Sequence, residues 1–295
     1  MLTLTLIQST IALVRNHEVK LAILFAAALA FGGCAAMQPP SATGPRGTDQ
    51  VYPILLTEDS HRTESVAAAL NRLKQQSGSS ASVDAHLQPV TATILSLPAR
   101  VNTSLYLPKI GVDPEMNEEE SRESLRRFIK EWQELIGADP SKLSLVERLD
   151  QPDGTKLANY EQRPFRYPIR GNYGKLEIHF AADRHVLNLT STCIPDADRM
   201  QITLSALTVR LKAEDAAQKL RENGVTYTDA KGNRSSFSLP AAGKTNPRGL
   251  VTYILAANGH PNALEFHLAW EMELTNAPVK IAYVDAVNGE IVATE

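Results

Sequence analysis

The order of the predicted secondary structure is the feature that most constrains the fold of this chain. An amphipathic helix followed by short strands of alternating polarity occurs twice, in residues 110–200 and again in residues 201–295. The apolar residues of 113–136 recur at the spacing of one helix face, which makes this the strongest helical pattern. Short turns join the strands that follow, and such turns connect antiparallel neighbours. We therefore predict an α+β protein of two tandem modules, each a helix packed on an antiparallel β-sheet.

The predicted bounds of the helices and strands follow from helix-capping residues, turn-forming residues and the spacing of apolar residues. In the first module, Asp113 and Pro114 predict the start of the helix and Gly137 its end. The strands predicted after it are 143–150, 155–169, 175–182 and 185–192. The second module has a helix at 212–223, an exposed polar loop at 224–247, and strands at 249–257, 263–274, 279–286 and 290–294. Before both modules, residues 60–109 predict a helix at 60–76 and short strands within 83–107.

The N-terminus has the pattern of a targeting signal. Residues 21–31, LAILFAAALAF, are too few to span a bilayer, and Arg15 and Lys20 precede them. Cys34 follows a small residue, as in bacterial lipoproteins, so we predict a signal peptide at 1–33 and lipid attachment at Cys34. Residues 34–59 are predicted to be a flexible tether. The expected location is the cell envelope, at the periplasmic face of the outer membrane in a Gram-negative host; secretion without a lipid and a retained membrane helix are the alternatives.

Composition and charge exclude several classes of protein. A formal net charge of −3 and a pI near 6.2 rule out a nucleic-acid binder that depends on bulk charge. Two cysteines exclude a disulfide framework and a four-cysteine zinc site. With Cys34 acylated, Cys193 is expected to be a small buried hydrophobe. We find no sequence motif for a cofactor, and the pair His17-Glu18 lacks the second histidine of a zinc peptidase.

Two groups of polar residues were weighed as possible sites. His179 and His185 could face each other across the turn at Asp183, and a surface pair is favoured over a metal site because zinc needs three or four ligands. On the strand 263–274, His267 shares one face with three carboxylates, and a solvated sheet face is favoured over a reactive cluster. Those carboxylates belong to Glu265, Glu271 and Glu273.

Both modules carry motifs of a known family. The first has Asp153-Gly154, then Tyr160-Glu161-Gln162, Pro168-Ile169 and Gly171, and Leu149-Asp150 and Leu176-Glu177-Ile178 flank them. The second has Leu250-Val251-Thr252-Tyr253, Leu268-Ala269-Trp270, Val284-Asp285-Ala286 and Gly289-Glu290-Ile291. These residues resemble the propeptide of thermolysin-like and fungalysin-like metallopeptidases, which joins a fungalysin/thermolysin propeptide (FTP) module to a PepSY module. The resemblance covers residues 110–295 and implies cystatin-like, PepSY-like modules.

The resemblance implies roles for the motif residues and for the protein. Asp285 is expected to accept backbone N–H bonds across a turn, and Gly289 to adopt positive φ, so the motif residues are expected to form the fold rather than a catalytic site. Family propeptides assist the folding of their peptidase and block its cleft. Because this sequence ends four residues after Ile291, without the zinc peptidase of the precursors, we expect a stand-alone version whose partner is an envelope or secreted metallopeptidase.

Two other functions stay open at this stage. A general protein- or peptide-binding module of the cell envelope is one, with the predicted loop 224–247 as a contact surface. An enzyme is the other, and loss of turnover on mutating His179 or Glu265 would support it. We expect no catalytic residue, no cofactor, no metal and no nucleic-acid partner.

Overall fold

The computed structural model describes residues 51–76, 85–97, 105–113, 115–163, 165–228, 232–240 and 244–295. Val51–Glu295 form one compact unit. The predicted signal peptide, Cys34 and the tether up to residue 50 lie outside the described residues. The described residues form a mixed α+β fold, as the sequence predicts.

Five helices and fourteen strands occur in the described ranges. The helices are α1 (Ser60–Gln76), α2 (Glu118–Glu131), α3 (Gln133–Ile136), α4 (Ala197–Ser205) and α5 (Ala213–Asn223). The first strands are β1 (Ile54–Thr57), β2 (His86–Leu87), β3 (Ile94–Ser96), β4 (Leu143–Asp150), β5 (Lys156–Gln162), β6 (Ile169–Arg170), β7 (Lys175–Phe180) and β8 (Val186–Ser191). The remaining strands are β9 (Val225–Thr228), β10 (Arg234–Phe237), β11 (Thr245–Ala256), β12 (Ala263–Leu274), β13 (Ile281–Asp285) and β14 (Ile291–Thr294).

The first sheet has the strand order β4-β5-β7-β8 and is antiparallel throughout. Its inner face packs on α1, α2 and α3, where Phe128, Ile129 and Ile178 are buried in one core. Apolar residues at helical spacing on α2 meet apolar residues at every second position of β7, so each element buries the face that its period predicts.

Helix α2 begins later than the sequence predicts. Asn117, not Asp113, is the N-cap: its side chain accepts a hydrogen bond from the Glu120 backbone N–H, and the Glu120 carboxylate accepts one from the Asn117 N–H. This reciprocal capping box satisfies two backbone donors at once. The predicted end is confirmed, because Gly137 closes α3 with φ of 81°.

The second sheet has the order β14-β13-β12-β11-β6, and β1 pairs with the first half of β12. Helix α5 covers one face of it, packing Ala216 and Leu220 against Met272, Ala282 and Val284. Strand β12 has the predicted bounds and is the centre of the sheet, since β11 flanks one side and β1 and β13 follow one another along the other.

Two strands of this sheet come from outside the predicted second module. Strand β6 belongs to the predicted first module, yet it leaves the first sheet and pairs in parallel with β11. Strand β1 lies in the range 34–59 that was predicted to be a tether, yet Ile54 is buried and faces Phe266 across the sheet. The predicted strand 155–169 is therefore wrong after Gln162, and the C-terminal end of the predicted tether is part of a sheet.

Two further elements were not predicted. Helix α4 packs Met200 and Leu204 against the second sheet. Strands β9 and β10 form a hairpin inside the range 224–247, so the prediction of an exposed loop there is wrong. The hairpin forms because Val225, Tyr227 and Phe237 pack against the core beneath α5. Within the described ranges, the helices are too short or too polar to cross a bilayer.

Candidate functional site

The connection between β5 and β7, residues 163–174, joins the two sheets. It starts at Gln162, whose buried side chain forms two hydrogen bonds with the backbone of Ile194. Nε2 donates to the Ile194 carbonyl at 2.9 Å, and the Ile194 N–H donates to Oε1 at 2.8 Å. The Gln162 amide thus satisfies both backbone groups of Ile194, as a neighbouring strand would do. These two hydrogen bonds fix the position at which the connection leaves the first sheet.

The middle of the connection is held against β11. The Thr252 N–H donates to the Pro168 carbonyl at 2.9 Å, and the pairing of β6 with β11 follows. Gly171 ends the contact with φ of 85°, and a Cβ there would lie 2.9 Å from the Ile254 carbonyl oxygen. Glycine is needed for both reasons: the backbone conformation is left-handed and the approach is too close for a side chain.

A groove of about 580 Å³ lies between this connection and the outer face of the first sheet. We call it the arginine groove. Its basic residues are Arg163, Arg166, Arg170 and Lys175, and Glu161 is the one acidic residue among the described lining. Its other lining residues are Val146, Gln162, Phe165, Pro168, Ile169, Tyr173 and Gly174. The groove is therefore positively charged, although the whole chain is acidic.

The four cations differ in their partners. Arg170 Nε lies 2.6 Å from the carboxylate of Glu271, whose side chain is only 5% exposed. Arg163 lies 3.4 Å from the exposed carboxylate of Glu161. Neither Arg166 nor Lys175 has a carboxylate within ion-pair distance among the described residues, and both are exposed. Arg166 lies over the ring of Tyr167, with its guanidinium carbon 5.3 Å from the ring centroid. A contact with the face of the guanidinium leaves its in-plane N–H donors for a carboxylate, so both cations can pair with an anionic ligand.

Part of the groove wall is apolar and open. Val146 is 52% exposed and lies where the register of β4 shifts against β5, between Leu145 and Glu147. Phe165 and Ile169 also line the groove; both are half-buried and pack against a core cluster that includes Phe266 of β12. A β-bulge of this kind turns a side chain away from its regular direction. The groove can therefore contact an apolar group as well as anionic ones.

A second polar cluster lies along β12, on the face of the second sheet opposite α5. The alternation of the strand puts Glu265, His267, Glu271 and Glu273 on one face, as predicted. The favoured reading of that face as solvated is wrong for two of them, because His267 and Glu271 are buried. Glu271 is neutralised by Arg170 at 2.6 Å and by Arg248 at 3.6 Å.

His267 is held between two carboxylates. Its Nδ1 lies 2.7 Å from Asp285 Oδ2, and its Nε2 lies 3.2 Å from Glu265 Oε2. The Tyr52 hydroxyl donates to the same Asp285 oxygen at 2.6 Å and accepts from the Leu268 N–H at 3.1 Å. This cluster ties the start of the described chain, next to β1, to the centre of the sheet.

The second oxygen of Asp285 forms the predicted turn. Oδ1 accepts from the N–H groups of Val287 at 2.7 Å and Asn288 at 3.0 Å, and Gly289 has φ of 78°. Burial raises the pKa of Asp285, but the hydrogen bonds from His267, Tyr52 and the turn outweigh it, so the pKa lies below its usual value. Burial and the nearby Asp285 carboxylate raise the pKa of Tyr52.

The other motif residues lie apart from both clusters. Asp153 accepts hydrogen bonds from the N–H and hydroxyl of Thr155, next to Gly154 with φ of 82°. Tyr160 packs against the first core, and burial raises its pKa to about 12. Trp270 donates from its indole nitrogen to the Leu211 carbonyl at 2.8 Å, which attaches the segment before α5 to the sheet.

The predicted histidine pair does not form. His179 lies opposite Asn188 and contacts the Thr155 hydroxyl at 2.8 Å, whereas the His185 ring lies against Tyr106 with centroids 5.2 Å apart. Among the described residues, no three His, Cys, Asp or Glu side chains are grouped closely enough to hold a metal ion. Cys193 is buried as predicted, and burial raises its thiol pKa to about 12.

A further cleft of about 420 Å³ lies where α1, α3 and α4 meet. Arg62 donates to the Thr91 carbonyl there at 3.2 Å, and its buried Nη2 has no hydrogen-bond partner. Four carboxylates line this cleft against the two guanidinium groups of Arg62 and Arg199; they belong to Asp59, Glu134, Asp139 and Asp196. The excess of negative charge makes it a weaker anion site than the arginine groove.

Neither the basic residues of the groove nor the role of Tyr52 was predicted from the sequence. A signal for the groove was present, because residues 163–175 contain four basic residues and no acidic residue. No such local signal exists for Tyr52, whose partners Leu268 and Asp285 are more than two hundred residues away.

No family model matches the chain, and no curated protein matches its sequence.

Proposed function

We propose that this protein is a non-catalytic, propeptide-like lipoprotein of the cell envelope. In this proposal, residues 110–200 and 201–295 are FTP-like and PepSY-like helix-on-sheet modules, and strand β6 of the first range joins the sheet of the second. Their partner is a secreted thermolysin-like metallopeptidase, which the protein inhibits or helps to fold. The membrane anchor is a lipid on Cys34, which mass spectrometry of the N-terminal peptide would detect.

The observation that supports this proposal best is that the motif residues hold the backbone at two positions of the fold. Gln162 and Gly171 fix the crossing between the sheets, and Asp285 and Gly289 fix the turn between β13 and β14. Residues that carry the resemblance therefore act on the backbone, as expected of fold-forming positions. A fold of this kind supplies surfaces for contact with another protein, since binding requires a rigid scaffold and an exposed site.

An inhibition assay tests the proposal. The full-length protein, purified in detergent, is added in increasing amounts to thermolysin, and hydrolysis of a short fluorogenic peptide is followed. We expect slower hydrolysis while the protein stays intact on a gel, which separates inhibition from competition by a cleaved substrate. The heat-unfolded protein is the control. Absence of inhibition, together with no metallopeptidase captured from an envelope extract of the host, would refute the proposal.

A general protein- or peptide-binding module is the second candidate, and the arginine groove favours it. The groove has two cations without an ion-pair partner among the described residues, and Val146 in its lining is exposed; both features suit a protein segment of any origin. Affinity capture from envelope extract separates the two functions. One reproducible partner that is not a peptidase would support the second candidate over the first.

A further inference from the structure

We infer that the arginine groove binds an extended acidic segment of a protein partner. The inference rests on the proposed function, in that the protein works by binding another protein, and it adds the chemistry of the segment that is bound. Four residues of the first module's motif line the groove, but they were assigned fold-forming roles and not a binding role; they are Glu161, Gln162, Pro168 and Ile169.

The charged side chains of the groove differ in whether they already have an ion-pair partner. Arg170 is already neutralised by the buried Glu271, and Arg163 makes only an exposed contact with Glu161. Arg166 and Lys175 are without a carboxylate partner among the described residues, so an incoming carboxylate gains their attraction without displacing an existing ion pair. Guanidinium groups also match carboxylates in shape, since they can donate two parallel hydrogen bonds.

The apolar part of the groove limits the kind of acidic segment. Val146, which is 52% exposed, and the half-buried Phe165 add apolar surface to the lining. A segment that alternates acidic and apolar side chains places both kinds of contact in the groove at once. A simple anion, or a polymer with charge alone, leaves the apolar surface unused.

The N-terminal part of this chain is a poor occupant by its own sequence. Residues 34–50 contain one acidic residue, Asp49, and one basic residue, Arg46, so they carry no net negative charge. This segment therefore does not supply the complementary charge, and we assign the occupant to another molecule. The overall charge of −3 disfavours a long anionic polymer, because the rest of the surface repels it.

Binding is measured with the full-length protein and a fluorescein-labelled peptide in which Glu and Leu alternate, by fluorescence anisotropy. The control peptide has Gln at every Glu position. We expect saturable binding of the Glu peptide only, and weaker binding when salt is raised from about 0.05 M to about 0.3 M, because exposed charges are screened. Equal binding of the two peptides would overturn the inference.

Matched double variants locate the site. Arg166→Gln with Lys175→Gln should weaken binding of the Glu peptide about tenfold, as expected when two charge contacts are lost. Arg234→Gln with Lys280→Gln removes the same charge at exposed positions outside the groove, and it should change binding less than about twofold. Similar losses in both variants would mean that only net charge matters, and the inference would be wrong.

Other anions and the proposed function are tested by the same variants. Groove-dependent binding of phosphatidylglycerol vesicles or of a DNA oligonucleotide, without binding of the Glu peptide, would overturn the inference in favour of those ligands. If thermolysin is inhibited equally by the wild type and the groove variant, and the Glu peptide does not bind, the proposed function stands and the groove inference fails. If the Glu peptide binds to the groove and no peptidase is inhibited or captured, the groove inference stands and the proposed peptidase partner is wrong.

Discussion

Replacing Tyr52 by phenylalanine removes one oxygen atom from the cluster that attaches β1 to the second sheet. That hydroxyl donates to Asp285 at 2.6 Å and accepts from the Leu268 N–H at 3.1 Å. A hydrogen bond to a charged group contributes about 1.5–3 kcal/mol, and a buried N–H left without a partner adds a further cost. Tyr52 is half-buried, so water can replace part of the loss. We expect the free energy of unfolding to fall by about 2 kcal/mol.

The measurement is urea unfolding followed by circular dichroism, with thermal unfolding beside it. For a domain of this size, about 2 kcal/mol corresponds to a fall in Tm of about 4–8 °C. Tyr253→Phe is the matched control, because Tyr253 lies on the same face of the sheet and its hydroxyl has no hydrogen-bond partner among the described residues. The control should change the free energy of unfolding by less than about 0.5 kcal/mol. Equal losses in both variants would refute the reasoning.

The pH dependence of the Tyr52→Phe effect gives a second check on the same cluster. The pKa of Asp285 is lowered in the folded protein, so its carboxylate contributes stability above its unfolded pKa. This contribution is lost as the pH falls through the folded pKa. Without the Tyr52 hydroxyl, that pKa should move up. The difference between the variant and the wild type should therefore be largest near neutral pH and shrink below about pH 4. A constant difference would contradict the assignment.

Three more predictions concern the crossing between the sheets and its surroundings. Gln162→Met should lower the free energy of unfolding by about 2–4 kcal/mol, because both backbone groups of Ile194 lose a buried partner, and an unchanged urea midpoint would contradict this. Gly154→Ala should lower the free energy of unfolding by about 1 kcal/mol, because alanine is strained at positive φ. Gly171→Ala should lower it further, because its Cβ would also lie 2.9 Å from a carbonyl oxygen of β11. Equal losses in the two variants would show that the backbone near Gly171 relaxes to remove this close contact. The Cys193 thiol should react with Ellman's reagent only after unfolding in urea, since burial raises its pKa to about 12, and rapid reaction in the native protein would disprove its burial.

Much of the local structure could be predicted because its cause is local. The bounds of α1 and β12 follow from apolar residues at helical and alternate spacing, and the turn at Asp285 follows from a side chain that hydrogen-bonds two residues ahead. The start of α2 was missed although its signal was also local. The pair Asn117 and Glu120 caps the helix in both directions, and this outweighs the preference of Asp113 and Pro114 for a helix start.

The sequence by itself determined the bounds of α1 and β12, the position of the turn after Asp285, and that Glu265, His267 and Glu271 share a face. Only the tertiary structure decided that this face is partly buried, that β1 and β6 join the second sheet, and that the basic residues of 163–175 line a groove. The reason is the distance along the chain. Hydrophobic periodicity and turn-forming residues act between positions that are close in the sequence. Ile54 pairs with Phe266, and Ile169 with Thr252, only because both sheets pack into one compact unit.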